Sequence, residues 1–354
     1  MTPSAFRAAH PNLFFLDPAR IGSLEAYLRR RGLLDDDEPI VAAEKAGEGN
    51  MNCTVRVRTP ARTWIVKQAR PWVEKYPQFE APWDRALREA EFYRLVHDDP
   101  AIARFLPKLH HADPDARLLV LEDLGHGGDY AGVYRGETLE IGTLLDLADF
   151  LSALHAAFPD AARRPALPNR EMRRLNHAHI FDIPLRSDNG LDLDAICPGL
   201  RDAARPVLDS TTFRDLAMRS GAEDYLADGP TLVHGDFFPG SLVRTPGGPR
   251  VIDPEFGHFG RPEWDVAVFL AHLHLGGQPA EAWHAFRNRY RPPTHFDECR
   301  VGRLAGIEIT RRLIGYAQLP LACGIAARRA WLELAMDLVC RPETPLEPRD
   351  VRRD

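Results

Sequence analysis

The chain has 354 residues, 44% of them apolar and 27% charged, with a formal charge of −6; this is the balance of an ordinary globular protein long enough for two lobes and a sizeable core. The negative charge argues against a broad basic grip on nucleic acid. No apolar run approaches the ~20 residues that span a bilayer, and the N-terminus lacks a charged segment followed by an apolar stretch and a cleavage site, so a cytoplasmic location is the expectation.

Residues 39–69 read as strands joined by tight turns. The first strand ends near Lys45, and Gly47-Glu48-Gly49-Asn50 forms the loop to the second. Cys53, Val55 and Val57 alternate with Thr54, Arg56 and Arg58, the period-2 pattern of a half-buried strand. A turn at Thr59–Arg62 leads to a strand over Thr63–Gln68. Residues 82–97 read as a helix, with Pro82 near its start and Trp83, Ala86, Leu87, Ala90 and Tyr93 at helical spacing. Leu118–Leu121 is a short apolar run read as another strand. The N-terminal part is thus mostly antiparallel sheet plus one helix.

From Thr143 to Phe158, Leu144, Leu147, Ala148, Leu151 and Leu154 follow a 3.6-residue period, which predicts a long amphipathic helix. Residues 159–230, rich in Pro, Arg and Asp, predict irregular structure and short helices. Strands return at Thr231–Val233, Ser241–Arg244 and Arg250–Ile252, with Pro246-Gly247-Gly248-Pro249 as a turn. Helices follow from about Trp264, Cys299 and Gly324. The five cysteines (Cys53, Cys197, Cys299, Cys323 and Cys340) are odd in number and include no C-x-x-C pair, which predicts reduced structural thiols and no zinc site. His272 and His274 lie two apart and share no helical face.

Two segments carry the chemistry. In Leu232-Val233-His234-Gly235-Asp236-Phe237-Phe238-Pro239-Gly240-Ser241 and in Val251-Ile252-Asp253-Pro254-Glu255-Phe256, a carboxylate follows a short apolar β-rich run. Each therefore sits at a strand end or on the adjoining loop. Taken singly, H-G-D reads as a turn and D-P-E as a helix start. As a pair at hairpin spacing, they supply what phosphoryl transfer needs: one acid to orient a hydroxyl and another to fix a metal on the phosphates.

This pair resembles the motifs of the aminoglycoside phosphotransferase and choline kinase superfamily. Within it, H-G-D-x-x-x-G-S and D-P-E-F are most similar to the S-methyl-5-thioribose kinases. The resemblance spans about residues 39–340 and implies an α+β, protein-kinase-like two-lobed fold. Residues 1–124 would form the nucleotide-binding lobe, with its antiparallel sheet plus helix, and residues 125–354 a larger, mainly helical catalytic lobe. It implies ATP and Mg2+, with Asp236 as catalytic base and Asp253, Glu255 and Ser241 as metal ligands. Ser241 stands where most members place Asn, and Asp265 would brace the catalytic loop through backbone N–H groups; its plain reading is an N-terminal helix acid.

Gly47-Glu48-Gly49-Asn50-Met51-Asn52 resembles the family's phosphate loop, in which Gly47, Gly49 and Asn50 contact nucleotide. Lys67 reaches the phosphates, paired with Glu89, or with Glu91 on another helix face. Glu122 and Leu124, in Val120-Leu121-Glu122-Asp123-Leu124, match the hinge that binds adenine. Thr310-Arg311-Arg312-Leu313-Ile314-Gly315-Tyr316-Ala317 resembles the R-R-x-x-G-x-A segment whose twin arginines hold the sugar, so Arg311, Arg312 and Asp236 form the substrate site. Read alone, adjacent helix arginines point about 100° apart and one at least is solvated. Residues 70–81 and Phe237-Phe238-Pro239 depart from the family pattern.

The resulting expectation is a kinase that moves the γ-phosphate of ATP to a sugar hydroxyl, with S-methyl-5-thioribose and its 1-phosphate, a step of methionine salvage, as first choice. An aminoglycoside, choline-type or other sugar kinase is the alternative, and an inactive nucleotide-binding scaffold a further one. The expected partner is a small molecule, with neither nucleic acid nor membrane, and a homodimer is left open.

Overall fold

A computed structural model of the protein describes residues 3–47, 51–160, 162, 164–341 and 343–348. The chain divides into two compact units, Met1–Gly128 and Asp129–Asp354. The first holds α1 (Pro3–Ala9), α2 (Ile21–Arg30), β1 (Ala42–Lys45), β2 (Cys53–Arg58), β3 (Thr63–Gln68), β4 (Trp72–Val73), β5 (Tyr76–Glu80), α3 (Arg85–Val96), α4 (Pro100–Ala103), β6 (Leu109–Asp113) and β7 (Leu118–Glu122). Its main sheet is antiparallel in the order β1-β2-β3-β7-β6, and β4–β5 is a separate hairpin.

The sheet follows from the alternation. Val55, Val57, Trp64 and Val66 turn inward with Leu118 and Val120, and α2 lays Leu24, Tyr27 and Leu28 onto them. One residue breaks the pattern of a half-exposed strand: Lys67, on the opposite face from Val66, is also buried, 3% exposed. The unit has more than the one helix expected. α2 reads in retrospect from Leu24, Tyr27 and Leu28 at i, i+3, i+4. The α3 helix starts at Arg85 rather than at residue 82, because Pro82 and Trp83 precede its first turn.

The second unit contains α5 (Ile141–Ala156), α6 (Arg170–His177), α7 (Leu193–Ile196), α8 (Leu200–Leu208) and α9 (Thr211–Ser220). These are followed by β8 (Thr231–Val233), β9 (Leu242–Thr245), β10 (Gly248–Val251) and β11 (His258–Gly260), then α10 (Glu263–Leu275), α11 (Ala280–Arg289), α12 (Glu298–Ile314) and α13 (Ile325–Cys340). The turn expected over 246–249 is shorter, because Gly248 and Pro249 already pair with Thr245 and Arg244. Every residue of α10 is buried, as expected for a helix apolar on all sides. It packs on α12, which packs on α13. That last contact requires Gly306, where a Cβ would meet the Ala335 carbonyl oxygen at 2.9 Å. No helix among the described residues is long and apolar enough to cross a membrane.

Candidate active site

The strand β8 pairs antiparallel with β11, Val233 opposite His258. The chain leaves β8 through His234-Gly235-Asp236, makes the β9–β10 hairpin, and returns to β11 through Asp253-Pro254-Glu255. Asp236 lies three residues beyond Val233 and Glu255 three before His258, so both acidic turns emerge from the same end of one ladder. Hydrogen bonds tie them together. Ile252 N donates to Ser241 O at 2.9 Å, and His234 Nε2 meets Ile252 O at 3.0 Å. Gly235, at φ +87°, passes so close to Phe256 that a Cβ would lie 2.5 Å from its carbonyl oxygen. Asp253 itself is left-handed, φ 62°, which turns the chain sharply into the Pro254-Glu255 turn.

The loop is held from below by Asp265 on α10, which is 0% exposed. Its two oxygens accept from His234 N at 2.7 Å and Gly235 N at 2.9 Å, and His155 Nε2 approaches at 3.3 Å. Burial pushes this carboxyl up, but the His155, His234 and Gly235 contacts outweigh it and hold Asp265 below its ordinary range. Trp264 Nε1 donates to Gly235 O at 2.9 Å. Asn169 Nδ2 donates to Glu255 O at 2.8 Å and Gly257 O at 3.0 Å, so it pins the second acidic turn.

Asp236 keeps 17% of its side chain exposed. Arg312 Nη2 stands 3.4 Å and Arg311 Nη1 3.8 Å from its Oδ1. Burial raises the Asp236 pKa above the ordinary carboxylate value, while Arg312 and Arg311 pull it back and Glu308 adds to the rise. Both arginines are buried, 6% and 5% exposed, so the solvated reading of the pair does not hold. The reason is Glu308, one helical turn earlier and 0% exposed: it accepts from Arg311 Nη1 at 3.0 Å and Arg312 Nε at 2.6 Å. Arg312 also lies over the Phe238 ring at 4.5 Å.

In the first unit, Lys67 Nζ pairs with Glu89 Oε2 at 2.7 Å, while Glu91 pairs instead with Arg88. Gly47 has φ +67°; Gly49 and Asn50 lie outside the described residues. Arg85, 0% exposed, draws this neighbourhood together by donating to Asn52 Oδ1 at 2.9 Å and to the carbonyls of Met51, Arg70 and Trp72. Glu122 closes the β6–β7 pair, its Oε2 accepting from Lys108 N at 3.0 Å. Leu124 directly follows Asp123, which pairs with Arg56 at 2.9 Å.

The donors available to a cation on the acidic turns are all oxygen: the carboxylates of Asp253 and Glu255 and the hydroxyl of Ser241. Among the described residues no group of three or more His, Cys, Asp or Glu forms a cage. Two hard carboxylates on one turn suit magnesium, which usually completes its shell with water and phosphate oxygens.

A family model described as a phosphotransferase enzyme family matches residues 42–300. A methylthioribose kinase of Exiguobacterium sibiricum is 29% identical over 270 residues, 71% of this chain and 65% of that protein. The methylthioribose kinase of Cronobacter sakazakii is 28% identical over 312 residues, 75% of this chain and 73% of the relative. The chain thus spans about two thirds to three quarters of these relatives' length. Of solved structures, choline kinase LicA from Streptococcus pneumoniae aligns with a TM-score of 0.51 at 15% identity, covering 89% of this chain and 98% of that one. Spectinomycin phosphotransferase APH(9)-Ia in its AMP-bound complex gives 0.51 at 13% identity, covering 91% and 99%. These two similarities bear on the fold.

Proposed function

The chain belongs to the phosphotransferase enzyme family, and from that premise we propose that it is an ATP-dependent small-molecule kinase whose acceptor is a neutral sugar, S-methyl-5-thioribose first. The observation that carries this reading is Asp236 flanked by two buried guanidinium groups, at the same ladder end as the Asp253-Glu255 turn.

The acceptor hydroxyl lies against Asp236, whose carboxylate takes its proton as the oxygen attacks the γ-phosphorus. The new O–P bond forms as the bond to the β,γ-bridging oxygen breaks, and ADP leaves. Such a loose transition state asks for positioning and charge neutralisation more than for a strong base. The guanidinium groups of Arg311 and Arg312 orient the remaining sugar hydroxyls and favour the ionised form of Asp236. For thioribose the reacting group is the anomeric hydroxyl, which gives the 1-phosphate. Asp253 and Glu255, with Ser241, would hold magnesium, which when bound would neutralise phosphate charge. Lys67, held by Glu89, reaches the α- and β-phosphates, Gly47, Gly49 and Asn50 line the phosphate loop, and the backbone at Glu122 and Leu124 meets adenine.

The names of the two methylthioribose kinase relatives support the choice of acceptor. So does the arginine pair, whose N–H groups can only donate and so suit the oxygens of a polyol better than the ammonium groups of an aminoglycoside. The test incubates the chain with ATP, magnesium and either methylthioribose, choline or an aminoglycoside panel, and identifies the product. Asp236→Ala is expected to lower turnover at least ~10³-fold, as for removal of a group on the reacting atoms, with ATP affinity largely kept. Unchanged turnover in that variant, or phosphorylation of the amines alone, would sink the reading.

A further inference from the structure

The buried chain behind the arginines is longer than the acceptor site needs. Glu308 Oε1 meets His272 Nε2 at 3.2 Å, and His272 Nδ1 meets the Tyr134 hydroxyl at 2.5 Å. Burial lowers the His272 pKa to about 4, so the imidazole is neutral and carries one proton. Burial also raises Tyr134 well above its ordinary value. A carboxylate can only accept, so the imidazole proton sits on Nε2 and the Tyr134 hydroxyl donates to Nδ1. Every hydrogen then has one place. Burial pushes Glu308 up, but Arg311, Arg312 and His272 outweigh it and hold it well below the carboxylate range.

We propose that Glu308, oriented from behind by His272 and Tyr134, is the positioning residue that aims Arg311 and Arg312 at Asp236 and balances their charge, so that the site accepts an uncharged polyhydroxyl acceptor. The inference rests on reading Asp236 as the base and the arginine pair as the acceptor clamp. Two guanidinium groups face two carboxylates, Glu308 and Asp236, and the sum is zero. An acceptor entering between the clamp and Asp236 is therefore recognised by hydrogen bonds rather than by net charge. Helical geometry makes this possible: Glu308 lies three and four residues before the arginines, where side chains share a face. Arg311 stands between the two carboxylates with Nη1, 3.0 Å from Glu308 and 3.8 Å from Asp236, and Arg312 gives Nε to Glu308 and Nη2 to Asp236.

The charged groups acting on Asp236 are Arg311, Arg312 and Glu308 from α12, and the titratable His234 faces it from its own loop; Tyr134 and Tyr225 in turn feel its charge. Removing the negative charge at 308 while keeping the clamp leaves two uncompensated cations beside Asp236 and lowers its pKa. Loss of the clamp, with the guanidinium groups swinging away, raises it. A fall reports the lost charge balance and a rise the lost aim, whereas a mere packing role moves neither.

The experiment follows the carbon-13 resonance of the Asp236 carboxyl, assigned with Asp236→Asn, through a pH titration of wild type and Glu308→Gln. It pairs this with KM for methylthioribose and for ATP. In Glu308→Gln the Asp236 pKa is expected to fall by about one unit, and the acceptor KM to rise about tenfold with the ATP KM unchanged. An Asp236 pKa and an acceptor KM that both stay put overturn the proposal. If wild type phosphorylates no sugar, the proposed function fails, yet the titration still decides the role of Glu308. If Glu308→Gln does not fold, Glu308→Asp takes its place: charge kept on a shorter arm should raise the acceptor KM without lowering the Asp236 pKa, and an unchanged acceptor KM overturns the proposal.

Discussion

Lys67 is a charged side chain on a strand, a place where lysines ordinarily face water. Here its ammonium is tied to Glu89, and both are nearly closed to solvent. Removing one partner of a buried pair strands the other charge, which costs about 3–5 kcal/mol. Glu89→Leu is therefore expected to lower stability by about that amount, and Lys67→Met with Glu89→Leu to recover most of it while still binding ATP poorly. Urea unfolding together with ATP titration checks both halves. This pair was legible because a lysine on the third strand and a glutamate on the next helix fall at fixed intervals from a glycine hairpin. Glu308 carried a readable signal too, an acid one turn before two arginines, but the expectation stopped at the arginines. Tyr134 and His272 were not legible: 138 positions separate them, and no local pattern marks a partner so distant.

At the level of elements, the alternation of β2 and β3 and the periodicity of α5 were open to reading because one face meets the core and the other does not. The short strands β6 and β11 lack this contrast. His258, Phe259 and Gly260 are all buried, and three residues show no period. Yet the β8–β11 ladder sets the site, since it sends both acidic turns out of one end. At that end Gly235 is tightly placed, since a left-handed backbone and the nearby Phe256 carbonyl both exclude a side chain. Gly235→Ala is expected to lower stability by about 2 kcal/mol or more and to reduce turnover further than that loss of folded protein explains. Thermal unfolding and activity per folded molecule measure the two effects. Arg85 was likewise unread, because the carbonyls it gathers come from separate stretches of chain, at Met51, at Arg70 and Trp72, and at Pro82.

Across the molecule as a whole, several buried ionisable groups push acid stability in one direction. Burial lowers His258 and His272 to about 4, whereas in the unfolded chain each titrates near 6.5. Between those values the unfolded state binds protons that the native state refuses, so stability falls as pH drops from about 6.5 to about 4, by about 3 kcal/mol for each histidine. Below about 4 both states are protonated and that loss levels off. Glu308 and Asp265, held below their ordinary values, add losses as pH falls under the carboxylate range. His258→Gln is expected to flatten the slope between pH 6.5 and 4, and urea midpoints over that interval test it. The α+β, two-lobed fold with its mainly helical part agrees with what the motif resemblance implied. The many short helices of residues 159–230 were only outlined, since proline and arginine there mask the apolar period.

The ring of His234 serves as a polarity connector. Ile252 offers it a carbonyl, which can only receive, and the Asp236 amide, 3.3 Å from Nδ1, can only give. The imidazole must then wear its hydrogen on Nε2 and leave Nδ1 open to the amide next to the base. The histidine of H-G-D is thus wiring between two turns, chosen for having unlike ends at fixed spacing.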